Sequence, residues 1–174
     1  MTNASDAVVI DASAAISVLR GEDDGEGVRR VIGRASPRLL VPDFFWLEVM
    51  NILVRRHAYP MDSALQVIAE LDDLGLVTVQ SSRGILLGCL ALMVEHGLSA
   101  YDATYLALAE SVNAELLTLD RQLAIAAGDR AVKLGAIDVR EARPPYRLQP
   151  WITWDEAGQY LDAVRQVTHD EARR

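Results

Sequence analysis

The stretch Val8-Val9-Ile10-Asp11-Ala12-Ser13 decides the fold. Three apolar residues end on a carboxylate, and Ala12–Arg20 then has helical character up to the stop at Gly21. A short buried strand followed at once by a helix is the first half of an α/β unit. The pattern returns late in the chain, where 115–119 reads as a strand ending at Asp120 and 124–127 as a short helix. Residues 39–41, 76–79 and 131–134 supply three further strands.

Between the strands lie helices with recognisable ends. Residues 28–34 are helical, and Pro42-Asp43 opens a helix through residue 56 with Asp43 as N-cap. Asp62 caps the next, with the apolar stripe Leu65, Ile68, Leu71 and Leu74. Ser81 or Ser82 starts a helix that ends at His96-Gly97, and Ser99 caps another through residue 111. Strands alternating with helices predict a three-layer α/β domain with a mostly parallel central sheet flanked by helices. We place that domain at residues 1–140 and a C-terminal extension at 141–174, with Pro144-Pro145 breaking the chain after the domain. In the extension, Thr153 and Glu156 have capping-box spacing, and Trp154, Ala157, Leu161 and Val164 share one face. That helix either packs on its own core or meets a partner.

Composition narrows the function. The chain has 174 residues, 51% of them hydrophobic, which suits one globular domain. No apolar run reaches the roughly 18 residues of a membrane span, and the polar start lacks a secretion signal, so a cytoplasmic protein is expected. The single Cys89 excludes a disulfide scaffold, and zinc-ligand spacing is absent. A net charge of −8 argues against a protein that coats nucleic acid, but not against an enzyme that meets it at one local site.

Four acids stand out by position. Asp11 and Asp120 each follow an apolar strand, which puts both at the carboxyl edge of a parallel sheet, where such folds bind ligands. Each is equally suited to capping a helix. Glu48 lies in the apolar run 44–54, where only Glu48 and Asn51 are polar. A carboxylate in so apolar a helix needs a partner or a metal, and a salt bridge to an arginine is the plain alternative. Asp102 stands three residues after Ser99, at capping-box spacing, so it serves as a cap, a ligand or both. Four carboxylates in one place repel one another unless a cation neutralises them. Oxygen ligands suit Mg²⁺ or Mn²⁺, and that combination points to phosphoryl chemistry.

Other motifs fail. The first strand is not followed by GxGxxG, and GxxxxGK[ST] does not occur. A phosphatase of the haloacid dehalogenase kind would carry a second Asp at the position of Ser13. His57 and His96 fall near predicted helix ends, and Cys89 lies in an apolar helix, so none is promoted. The arginines near 29–38 and at 55–56 read as solvated faces.

Taken in order, the segments around Val9-Ile10-Asp11-Ala12-Ser13, Trp46-Leu47-Glu48-Val49-Met50-Asn51, Ser99-Ala100-Tyr101-Asp102-Ala103-Thr104-Tyr105 and Leu117-Thr118-Leu119-Asp120-Arg121 resemble PIN-domain ribonucleases. The similarity is greatest to the VapC-like toxins of type II toxin–antitoxin modules. It covers roughly residues 7–138, and the tail after Pro144 is its departure. The resemblance implies a PIN-like fold and a ribonuclease using Mg²⁺ or Mn²⁺, with Asp11, Glu48, Asp102 and Asp120 as its acidic metal site. Ser13, Asn51 and Thr118 would orient those ligands, and Arg121 would touch an RNA phosphate. The implied partners are an RNA substrate, a cognate antitoxin and a second copy of the chain. A housekeeping RNA-processing nuclease and a non-catalytic scaffold are the competing readings.

Overall fold

The computed structural model describes residues 7–20, 23–33 and 38–134. Four parallel strands form the sheet: β1 (Ala7–Ile10), β2 (Arg38–Pro42), β3 (Val77–Val79) and β4 (Glu115–Leu117), in the order β3-β2-β1-β4. Val8, Val9 and Ile10 are all buried, although successive strand residues point to opposite faces. Both faces of β1 are therefore covered, as in a three-layer fold. The edge strand β3 is more exposed.

Helix α1 (Ala12–Arg20) packs with α2 (Asp23–Ile32), α3 (Phe45–Asn51) and α4 (Met61–Asp72). Helix α6 (Ala100–Ser111) lies against β1, β2 and β4 and pairs with α5 (Arg83–His96); α7 (Arg121–Ala127) follows β4. Residues 103–109 of α6 are buried throughout, so its apolar character serves the core. Among the described residues, no single helix is long and apolar enough to cross a membrane.

The predicted ends of α1, α5 and α6 hold because their caps are local. The Ser82 and Ser99 hydroxyls accept from the third N–H onward, and Gly97 closes α5 at φ 66°, a conformation that favours glycine. Elsewhere distant contacts decide. Helix α2 begins at Asp23 rather than near residue 28, despite two glycines in its first half. Gly25 packs so tightly on α1 that a Cβ there would collide with the Ser17 carbonyl. Asp43 does not cap α3. Its carboxylate instead accepts from Ser81 Oγ at 2.7 Å and Ser81 N at 3.2 Å, and Phe44 takes the cap position. Those two bonds hold the Asp43 carboxyl below its usual pKa, with the Ser81 hydroxyl the larger cause.

Helix α3 runs on through a π-helical stretch, Ile52–Arg56. Pro60, not Asp62, occupies the cap of α4, and Leu65 of the predicted stripe faces outward while Leu71 is buried. The strand expected at 131–134 reduces to one parallel bridge between Leu116 and Ala131. The capping box and apolar face predicted around Trp154 lie outside the described residues.

Candidate active site

The chain builds β1, β2 and β3 in one direction across the sheet and then returns to set β4 on the other side of β1. The gap between β1 and β4 is thus the topological switch point, where open parallel sheets bind ligands beyond their carboxyl ends. Asp11 stands there. Its N–H donates to the Leu117 carbonyl at 3.1 Å, extending the β1–β4 ladder by one bond before α1 begins.

The Asp11 side chain is 5% exposed and densely held. Oδ1 accepts from Ala14 N at 2.6 Å and Ser13 Oγ at 2.9 Å. Oδ2 accepts from Thr118 Oγ1 at 2.5 Å and Ser13 Oγ at 3.1 Å. Asp11 therefore caps α1 while standing at the carboxyl end of β1, beside the switch point. Ser13 touches the carboxylate near it in sequence, whereas Thr118, which lies beside Asp120 in the chain, donates to the Asp11 carboxylate. Thr118 also accepts from Asp120 N at 3.0 Å, so one hydroxyl joins the loops after β1 and β4.

Glu48 enters from the first turn of α3, half-buried. The helix is less buried than its composition suggests, since Leu47, Met50 and Val54 are exposed. Glu48 Oε2 accepts from the Tyr105 hydroxyl of α6 at 2.9 Å. Tyr105 is 1% exposed, and its phenol is held far above its ordinary pKa. Burial is the main cause, followed by the negative charges of Glu48 and then Asp11, so the two carboxylates share one electrostatic neighbourhood. Tyr105 received no role from the sequence. The signal was available: a tyrosine inside a buried run needs a partner for its hydroxyl, and Tyr105 stands one turn from Asp102.

Asp102 sits in the first turn of α6. Ser99 Oγ donates to its Oδ2 at 2.6 Å and accepts from its N–H at 3.1 Å. Asp120 caps α7, with Oδ1 accepting from Leu123 N at 2.9 Å. Asn51 ends α3 one turn past Glu48 and is exposed. Arg121 is exposed at the start of α7, lining a shallow cleft of about 190 Å³ with His96, Gln122 and Ile125. Cys89 is buried against Thr104 and the Ala100 carbonyl, as a core residue.

All four acids thus occupy the cap or first turn of a helix, where the positive end of the helix dipole favours a carboxylate. Among the described residues, no group of three or more His, Cys, Asp and Glu side chains is arranged to hold a metal ion. The donor set is nonetheless hard oxygen. It fits an ion such as Mg²⁺, which keeps most of its waters and takes one or two carboxylates, rather than a closed protein cage.

A PIN domain model matches residues 8–129. Over 121 residues the chain is 37% identical to Ribonuclease VapC3 of Pyrobaculum aerophilum, a match covering 67% of this chain and 92% of that protein. Among solved structures, a toxin-antitoxin complex from Klebsiella pneumoniae matches with a TM-score of 0.59 and 20% identity, covering 75% of this chain and all (100%) of that one. Mycobacterium tuberculosis VapC20, described as a Sarcin-Ricin loop cleaving toxin, matches with a TM-score of 0.57 and 15% identity over 72% of this chain and 98% of that one. At these identities the two structural matches speak to the fold.

Proposed function

The chain belongs to the PIN-domain family, and from that premise we propose that it is a metal-dependent endoribonuclease, the toxin of a toxin–antitoxin module. The observation that carries this reading is Asp11, a buried carboxylate with four hydrogen bonds at the switch point of a chain 37% identical to a ribonuclease. Asp11 and Glu48 would hold a Mg²⁺ or Mn²⁺ ion, with Asp102 and Asp120 completing the acidic rim. When bound, such an ion supplies activation of the attacking water and neutralises charge building on the phosphodiester.

The chain's own residues supply the geometry. Ser13 and Thr118 fix the plane of the Asp11 carboxylate, and Ser99 fixes that of Asp102. Preset side chains spare the reaction the cost of ordering them as the substrate arrives. The overall change is hydrolysis: water adds to phosphorus, one ester P–O bond breaks, and the products are a phosphate monoester and a hydroxyl. Arg121, exposed beside Asp120, suits a backbone phosphate of the bound RNA.

The partner is a cognate antitoxin protein, and a homodimer in the cytoplasm is the assembly. Support comes from exposed apolar positions at helical spacing: Leu47, Met50 and Val54 along α3 and its π-helical end, and Leu86, Leu90 and Val94 on α5. Such faces mark surfaces that another protein covers.

Induction in bacterial cells tests the toxin reading. The expected result is growth arrest with RNA cleavage, abolished by Asp102→Asn and relieved by co-expression of the adjacent gene product. RNA cleavage without arrest would favour a housekeeping processing nuclease. Intact RNA together with unchanged growth would favour a scaffold.

A further inference from the structure

We propose that Tyr105 is the positioning residue for Glu48, and that its phenol sets how tightly the site holds a divalent cation. The inference rests on the reading of Glu48 as a metal ligand.

The geometry is specific. Tyr105 is gripped at two points by the same helical segment. Its hydroxyl donates to Glu48 Oε2 at 2.9 Å, and its ring meets Phe44 edge to face with centroids 5.5 Å apart. Phe44 is the cap residue of α3 and lies one turn before Glu48. The ring thereby registers α3 against α6, the helix that carries Asp102. Glu48 is half-buried and has three rotatable side-chain bonds, so a single strong acceptor contact removes most of its alternatives.

The donor type matters as much as the distance. An arginine at this place would orient the carboxylate and cancel its charge. A phenol orients it without itself cancelling that charge. The phenol is a neutral hydroxyl that donates to Glu48, so it adds no charge of its own to the site. Partners of this kind, one bond removed from the metal, commonly alter affinity by about 10–100-fold.

The test is a calorimetric titration of the full chain with Mn²⁺ alone, with the metal-free melting temperature recorded for each variant. Tyr105→Phe keeps the ring and its contact with Phe44. The expected result is Mn²⁺ binding weakened by about 10-fold or more with little change in metal-free melting. In a Glu48→Gln background, adding Tyr105→Phe should weaken binding by less than about twofold, because a residue acting through Glu48 has nothing left to position. Tyr105→Leu, a second variant lacking the hydroxyl, should weaken Mn²⁺ binding at least as much and also lower the melting temperature, because the buried ring and its contact with Phe44 are lost. Undiminished Mn²⁺ affinity in Tyr105→Phe, or an equal loss with and without Glu48→Gln, would overturn the inference. A wild-type chain that binds no Mn²⁺ would overturn the metal reading of the site, and this inference with it.

Discussion

The sheet edge and the outer helix faces break the usual rule of burial in opposite directions. At the edge, Asp11 and Thr118 are polar and buried. On α3 with its π-helical end and on α5, Leu47, Val54, Leu86, Leu90 and Val94 are apolar and exposed. A buried polar group costs stability unless it is bonded, and the buried side-chain polar atoms among the described residues all have partners. An exposed apolar stripe contributes nothing to this fold and lowers solubility. The two regions therefore separate two roles. In the proposed function the edge serves chemistry within one chain, whereas the faces serve contact with a second one.

Four substitutions break or sharpen that contrast. The largest effect belongs to Asp11→Asn. Asparagine still caps α1, so melting should move little, while RNA cleavage should fall by about 100-fold or more, in line with the several kcal/mol that a metal ligand contributes to the transition state. Cleavage rates measured beside a melting curve separate the two. Next is Leu90→Glu on α5. It should shift the sedimenting mass from dimer towards monomer and leave Mn²⁺ binding unchanged within about twofold; an unchanged mass would remove α5 from the assembly surface.

Gly25→Ala tests the packing beneath the edge. The added methyl meets the Ser17 carbonyl, and overpacking of this kind costs about 1–3 kcal/mol in chemical denaturation. The smallest effect lies at Asp43. Its folded-state pKa is lowered, so its stabilisation is fully present above the ordinary value of 3.8 and is lost as pH falls through the folded value. Ser81→Ala should flatten that acid-side slope in urea unfolding, by lowering stability slightly at neutral pH, where the bond is fully formed, and leaving it nearly unchanged well below pH 3.8.

Much of this was legible in the sequence because it is local. The strand-then-carboxylate pattern at Asp11, the cap at Ser99 and the stop at Gly97 each depend on residues within a turn of one another. What escaped depends on distant partners. Ser81, 38 positions away, draws Asp43 from the helix it was expected to cap. The buried face of Gly25 holds together a helix whose composition disfavours it. Tyr105 was part of a recognised motif, yet its role needs Glu48, 57 positions earlier. The four acids stand out by their places in the chain, and Ser13 and Ser99 lie within a turn of the carboxylates they hold, whereas the bonds from Thr118 to Asp11 and from Tyr105 to Glu48 became visible only in three dimensions.

The most direct test of the central claim is RNA cleavage by the purified chain in Mg²⁺ or Mn²⁺, with EDTA and Asp11→Asn run alongside and the products mapped by their ends. A preferred cut that disappears in both controls is the expected result. Cleavage that persists in Asp11→Asn at the wild-type rate would contradict the account.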